Sequence, residues 1–230
     1  MPGTAYAWIG EVEGGDPTTS GNWNPPGVPG DDAADTITID ITGEFVNALA
    51  GAGWTTTIAG ATVNNNNSSP TDLSGVTITG PVTLTAEWAT TLGSCSGLVT
   101  VRDTGNMAAG TLTGGLVMGP GISTIDNGTI SGGVVLGGTW YIHGGTFSGT
   151  MQFRSAGTID SSAAALNISA ATPIAYAAVA VEKGASAYTA PTGGFHLGNR
   201  AATYTFDATL LADSIVDALY VPEGVPLSPP

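Results

Sequence analysis

The chain repeats one pattern in three clear copies: Gly110-Thr-Leu-Thr-Gly-Gly-Leu-Val117, Gly128-Thr-Ile-Ser-Gly-Gly-Val-Val135 and Gly145-Thr-Phe-Ser-Gly-Thr-Met-Gln152. Weaker copies extend the pattern over residues 73–170. Within a copy, apolar residues alternate with small polar ones, which is the periodicity of a strand with one side facing inward. A short repeat with strand periodicity predicts a β-solenoid, in which successive turns of the chain stack on one another.

Aligned at a fixed period of 17, with one residue inserted near residues 119–123, the apolar positions form four columns. They are Ile78, Cys95, Leu112, Ile130, Phe147 and Ala164; Val82, Val99, Leu116, Val134, Met151 and Ile168; Leu84, Val101, Met118, Leu136, Phe153 and Ala170; and Leu73, Thr90, Met107, Ile125, Ile142 and Ile159. We therefore expect an all-β, single-chain β-solenoid (β-helix) of about six rungs, spaced ~4.8 Å apart. A β-sandwich fits less well, because its strands recur every ~8–12 residues and seldom keep a fixed register.

A glycine column lies between the first two apolar columns: Gly80, Gly97, Gly114, Gly132 and Gly149. Glycine at every turn is typical of a corner where φ is positive or where backbones approach too closely for a Cβ atom. The column therefore predicts one corner of the solenoid.

The repeat divides the chain into three parts. Residues 1–50 are predicted to form an N-terminal cap or attachment segment, residues 51–190 the solenoid, and residues 191–230 a strand or short helix with a proline-rich docking tail. Trp8 and Trp23 are expected to cover the first end of the stack, where strand edges and apolar core would otherwise be exposed.

The charge balance excludes two classes of partner. The net charge is −14, and the basic residues are only Arg102, Arg154, Lys183 and Arg200. Nucleic acid needs many phosphate-neutralising cations, and an anionic membrane surface attracts them as well. There is also no span of ~20 apolar residues for a membrane helix. We expect neither nucleic acid nor a membrane as a partner.

A possible nucleophile lies in Gly93-Ser-Cys-Ser-Gly97. A nucleophile elbow needs a strand–turn–helix setting and a histidine within reach. Cys95 lies instead in an inward column, so we interpret it as a small buried apolar residue. The sequence has no HExxH, CxxC or P-loop motif, and we predict no enzymatic activity, no metal and no cofactor.

One histidine shares a column with two carboxylates. Asp126, His143 and Asp160 each follow an inward isoleucine, so in a solenoid they would stack at ~4.8 Å intervals. Such a trio could take a metal or act as acid and base. The interpretation we favour is a surface charge ladder between adjacent rungs.

Hydroxyl side chains form the most regular outward feature. One column contains Thr77, Ser94, Thr111, Thr129 and Thr146, and the next contains Thr79, Ser96, Thr113, Ser131 and Ser148. Outward threonines with good β propensity explain the columns adequately. A two-column Thr/Ser array on a short-rung solenoid also resembles ice-binding proteins, although serine in half of the second column lacks the methyl groups of threonine.

The N-terminal segment carries a further resemblance. It combines Trp8-Ile-Gly10, Gly21-Asn-Trp-Asn-Pro25, Val28-Pro29 and Asp35-Thr-Ile-Thr-Ile39. This opening resembles the start of many bacterial and phage β-solenoid surface and virion proteins, over about the first 40 positions. The resemblance implies a structural or adhesive role.

We therefore expect a non-enzymatic virion protein, a capsid decoration or fibre-like protein of a tailed phage that coats or stabilises the particle. Its expected partners are itself, as a homotrimer, and the major capsid protein or another virion protein. Its expected location is the capsid surface, with an extracellular location as the alternative. Two other functions stay open: ice binding through the Thr/Ser columns, and a carbohydrate-binding spike or adhesin in which Trp88, Trp140 or Tyr141 stacks on sugars.

Overall fold

The computed structural model describes residues 2–10, 15–41, 53–65, 70–85, 89–103, 105–198 and 201–207, together with Leu210. The described chain is an all-β solenoid of about seven stacked turns, so the predicted fold class is confirmed. Predictions for the last residues, a helix after Asp207 and a proline-rich tail, lie outside the described residues.

One short 3-10 helix lies between the first two strands of the described chain. The 3-10 helix is Ser20–Asn22. The strands are β1 Ala5–Trp8, β2 Trp23–Asn24, β3 Thr36–Ile41, β4 Thr56–Ile58, β5 Gly60–Asn65, β6 Thr71–Ile78, β7 Val82–Leu84, β8 Thr90–Cys95, β9 Val99–Val101 and β10 Gly105–Leu112.

The remaining strands continue the same succession towards the C-terminus. They are β11 Leu116–Met118, β12 Ile122–Ile130, β13 Val134–Leu136, β14 Thr139–Ile142, β15 Gly145–Phe153, β16 Gly157–Ile159, β17 Leu166–Ala175, β18 Ala178–Val181, β19 Tyr188–Thr189, β20 His196–Leu197 and β21 Thr203–Phe206. The last of these, β21, is a strand within residues 191–230, where a strand or short helix is expected from the sequence.

Each middle turn contains three strand segments, which form three faces of the stack. Face A contains residues 77–78, 94–95, 111–112, 129–130 and 146–147. Face B contains β7, β9, β11, β13 and the end of β15. Face C contains the first residues of β6, β8, β10 and β12, then β14, β16, β18 and β21. Neighbouring strands are parallel in every described pairing except β1 with β2.

The middle of the stack keeps the predicted period. On face B, Leu84, Val101, Met118, Leu136 and Phe153 pair in succession, and each step equals the sequence period except the one from Met118 to Leu136, which is one residue longer. Met118 is one regular period from its partner Val101, whereas Ser123 is one residue more than a period from its partner Gly105. The single inserted residue therefore lies between Met118 and Ser123, as predicted.

The turns at both ends are longer than the sequence columns predict. Ile39 pairs with Val63 and Val63 with Leu84, and both steps exceed the period of the middle turns. Phe153 pairs with Ala175 and Ala175 with Leu197, which are again long steps and equal to each other. At the N-terminal end β1 pairs in parallel with β3. At the C-terminal end β20 pairs in parallel with β17, and β21 pairs in parallel with β18.

Four predicted column members are consequently wrong. Ala164, Ile168 and Ala170 do not continue their columns; Met151 pairs with Pro173 and Phe153 with Ala175. The cause is the corner at residues 160–165, where the amides of Ala163 and Ala164 donate to the His143 carbonyl at 2.9 and 3.1 Å. These hydrogen bonds join the longer corner to the preceding turn, so the extra residues are accommodated without breaking the stack.

The fourth wrong member is Leu73, which pairs with Leu92. Thr71 takes the predicted place and pairs with Thr90. Thr71 is buried and its hydroxyl accepts from the Asn65 amide at 2.9 Å, so a polar pair occupies an inward position there. Apolar patterning alone cannot identify such a position.

The inward columns form one continuous apolar core. Leu116, Val134 and Cys95 are all at most 2% exposed, which confirms their predicted inward orientation. The glycine corner is also confirmed, because a Cβ on Gly97 would overlap the Gly80 carbonyl and one on Gly114 would overlap Gly97. Close stacking therefore requires glycine at this corner.

Candidate functional site

The structure brings the predicted charge ladder together at the edge where face C ends. His143 Nδ1 lies 3.1 Å from Asp126 Oδ1, and His143 Nε2 lies 4.0 Å from Asp160 Oδ2. The other oxygen of Asp160 accepts from the Ser162 amide and hydroxyl at 2.8 and 2.6 Å. The three side chains thus connect consecutive turns of the solenoid.

The same edge continues beyond the predicted trio. The Glu182 amide donates to the Ile159 carbonyl at 2.8 Å, and the Asp207 amide donates to the Val181 carbonyl at 2.9 Å. Each of these residues directly follows an inward residue of face C, as Asp126 and Asp160 do. Sequence alignment at a fixed period missed both, because the steps from Ile159 to Val181 and from Val181 to Phe206 are longer than that period.

The edge that carries these residues, called the acidic edge below, is not arranged to bind a metal ion. Within the described ranges, no group of three or more His, Cys, Asp and Glu side chains is arranged to hold a metal ion. The histidine side chain is 29% exposed and that of Asp126 is 45% exposed. Ion pairs in contact with water contribute little, about 0–1 kcal/mol. The geometry suits a ladder between turns and a source of negative surface charge.

The first hydroxyl column lies on face A and is exposed. Thr77, Ser94, Thr111, Thr129 and Thr146 pair in succession along parallel strands. Thr57 extends the column by pairing with Thr77. The side chains of this column point outward and keep the spacing between adjacent strands.

The second hydroxyl column differs, because its members Thr79, Ser96, Thr113 and Ser131 follow the last strand residue of face A. The Thr79 hydroxyl donates to the Ile58 carbonyl at 3.2 Å, and the Ser96 hydroxyl donates to the Thr79 carbonyl at 3.2 Å. Ser148 is the member that lies within a strand, and it is half-buried. A flat two-column grid is therefore not formed along the whole of face A.

Of the three aromatic residues considered for sugar binding, Trp140 and Tyr141 lie within the described residues. Trp140 is completely buried, stacks on Phe153 with ring centroids 4.9 Å apart, and donates from Nε1 to the Ser155 carbonyl at 3.0 Å. The suggestion that Trp140 contacts a sugar is therefore wrong. Tyr141 points outward, and Trp88 lies outside the described residues.

Face C contains a shallow groove of about 370 Å³ beside Tyr141. Small residues form much of it: Thr139, Ala156, Gly157, Thr158, Ala178, Ala180 and Thr205. The sequence columns do not predict this surface. A sequence feature that could have indicated it is the set of small outward residues in Gly157-Thr-Ile159 and Ala178-Val-Ala-Val181.

Cys95 is not a candidate nucleophile. It lies in the core, 1% exposed, and burial raises the pKa of its thiol to about 11. The thiolate is the reactive form of cysteine, so a neutral buried thiol is unreactive near neutral pH.

The two tryptophans of the predicted cap lie together at the N-terminal end. Trp8 pairs with Trp23 across the antiparallel β1–β2 ladder, and their rings are 4.9 Å apart in an edge-to-face arrangement. Trp54 adds a third ring 5.8 Å from Trp23, and Trp23 Nε1 donates to the Pro17 carbonyl at 2.8 Å. All three tryptophans are at most 4% exposed.

The strand ladder defines the class of protein as a single-chain parallel β-solenoid. No protein-family model, no curated protein and no solved structure matches the chain. In the part of the chain that the structure describes, no helix has the length and apolar character needed to cross a membrane.

Proposed function

We propose that this chain is a non-enzymatic structural protein of a tailed-phage particle, a capsid decoration or fibre-like protein on the particle surface. The observation that carries the proposal is the core, a column of apolar side chains continued by parallel pairing from Trp8 to Leu197. Parallel ladders and buried apolar surface make a stiff rod that needs neither disulfide nor metal.

The surface chemistry supports a coating role. Only 10% of the residues are charged, and the outward columns on all three faces contain mainly small or β-branched residues. The net charge of −14 favours solubility and resists non-specific association. The proposed partners are other copies of the chain, in an assembly whose symmetry is taken up below, and the major capsid protein or another virion protein.

An antibody against the recombinant chain would test this proposal on particles purified from cultures of the organism that encodes it. We expect label on the particle surface, and the protein in the particle fraction of a density gradient at a copy number comparable with that of a capsid subunit. A protein that stays entirely in the soluble fraction would contradict the proposal.

Ice binding is the second candidate, favoured by the exposed Thr/Ser column that begins at Thr57 on face A. The second column supports ice binding less well, because the hydroxyls of Thr79 and Ser96 already donate to backbone carbonyls. We expect ice crystals grown in the protein to keep the disc shape of pure water. Faceted crystals that revert to discs with Thr111→Lys would instead favour ice binding.

A further inference from the structure

From β12 to β21 the two edges of face C differ in charge: the edge that precedes the face carries Arg154, and the edge that follows it carries four carboxylates and Lys183. Arg154 lies on the edge that precedes face C, directly after Phe153, and Tyr176 lies one turn further along the same edge. Asp160 and Glu182 lie on the edge that follows face C, again one turn apart. Arg154 and Glu182 are both exposed, and the Arg154 guanidinium donates to Gln152 Oε1 at 2.7 Å and lies 5.6 Å from the centre of the Tyr176 ring. Chain order within a turn therefore places an arginine and a carboxylate at similar heights on either side of the face.

Exposed apolar side chains are concentrated on the same face. The described part of the chain exposes four large apolar residues, and three belong to face C or its arginine edge: Ile122 at 55%, Tyr141 at 36% and Tyr176 at 37%. These three side chains lie on three different turns of the face, and exposed apolar surface with polar edges is typical of an interaction site. The small residues of the groove allow a second backbone to approach closely.

We propose that face C binds a second copy of this chain, with the two stacks parallel. A twofold axis parallel to the stack keeps each residue at its own height and exchanges the two edges of the face. Arg154 of one copy then faces Asp160 and Glu182 of the other. An antiparallel pair would instead place the acidic edge of one copy on the acidic edge of the other, which is unfavourable.

The outward columns fit this arrangement. Ala156 and Ala178 share one column of face C, while Thr158 and Ala180 share the other. An axis between the columns sets Ala156 opposite Thr158 and Ala178 opposite Ala180. Small side chains therefore meet at these two turns, Tyr141 and Ile122 continue the same columns at the preceding turns, and the charges lie at the two margins.

The size of the face sets the expected strength. The five turns of face C from β12 to β21, spaced ~4.8 Å apart and with strands ~13 Å long, give roughly 300 Å² per copy. A standard stable interface uses about 800 Å² per partner. The pair should therefore form at high protein concentration, and more completely where copies are held side by side on a particle.

This inference rests on the self-association included in the proposed function, and sedimentation equilibrium of the full chain between about 10 μM and 1 mM tests it. Arg154→Glu and Glu182→Arg should each raise the dissociation constant roughly tenfold, because each places like charges at both margins. The double variant exchanges the two charges and should associate more tightly than either single variant, although the carboxylate introduced at position 154 still faces Asp160.

A matched control is Thr111→Glu with Thr129→Glu on face A, which lowers the net charge by two, as Arg154→Glu does. It should leave association unchanged, and circular dichroism should show every variant folded. A chain that stays monomeric at the highest concentration, a double variant as weak as the single ones, or loss of association in the face A control would overturn the proposal. The particle-labelling experiment does not depend on these outcomes, so either idea can fail separately.

Discussion

The middle and the ends of this solenoid follow different rules although they share one core. Between Leu84 and Phe153 every step on face B keeps the sequence period to within one residue. The steps beyond these residues, towards Ile39 and towards Leu197, are all longer. The inward residues of face B stay apolar at both ends, so the difference in step length lies in the corners.

The corners of the middle turns leave no spare room. Gly97 and Gly114 stack directly on Gly80 and Gly97, and a single added methyl group would collide with backbone. At the C-terminal end, the corner at residues 160–165 is longer, and the amides of Ala163 and Ala164 connect it to the His143 carbonyl of the preceding turn. A strict sequence period therefore marks corners that stack on each other, whereas the core tolerates turns of several lengths.

The largest expected effect is a charge buried in the middle turns. Leu116→Asp, or Val134→Asp, should destabilise the protein by more than about 4 kcal/mol and leave it unfolded, because the carboxylate has no partner in the apolar core. Val117→Asp, one residue along and pointing outward, should cost less than about 1 kcal/mol. Urea denaturation measures both. A native transition for Leu116→Asp would mean that the inward columns are wrongly assigned.

The same substitution at an end should be milder. Leu197→Asp places the carboxylate at a half-buried position of the last described level of face B. Water can reach part of the side chain, so we expect a cost of about 1–3 kcal/mol and a folded protein. Equal effects of Leu116→Asp and Leu197→Asp would remove the distinction between middle and end.

Glycine-to-alanine substitutions compare the two kinds of corner directly. Gly97→Ala should cost about 1–3 kcal/mol, because its Cβ must displace the Gly80 backbone. Gly193→Ala lies where a Cβ would meet nothing within 4 Å, so its effect should stay within about 0.5 kcal/mol. A thermal shift of similar size for both variants would contradict close stacking at the middle corner.

Cys95 makes the middle of the stack sensitive to alkaline pH. Burial raises the pKa of its thiol from 9.0 to about 11, so the unfolded chain releases the proton first. Stability from this group is complete below pH 9 and is lost as the pH rises from 9 to about 11. Cys95→Ala should show a smaller stability loss over that interval in denaturation experiments. An identical pH dependence in the two proteins would show that the thiol is not buried.

The smallest expected effect belongs to face A. Thr111→Lys with Thr129→Lys should change the free energy of unfolding by less than about 1 kcal/mol, since both side chains are exposed. Loss of folding in this variant would mean that the column is covered, most simply by another copy of the chain.

Sequence alone predicted the middle turns well, because each inward residue there has an apolar partner one period away. The inserted residue after Met118 and the burial of Cys95 followed from the same alignment. The ends were less predictable, since the positions of Thr71 and Pro173 depend on side-chain pairing and corner length. The same limit applied to the acidic edge, where Asp126 and His143 were identified but Glu182 was not.

The most direct test of the stacked middle is residue-resolved amide hydrogen exchange. We expect the slowest exchange in β9, β11 and β13, at Val101, Met118 and Leu136, with a free energy equal to that of global unfolding. The amides of β19 and β20 should exchange through smaller openings at the C-terminal end. Uniform protection along the chain, or faster exchange in β11 than in β20, would contradict the account of a regular stacked middle between looser ends.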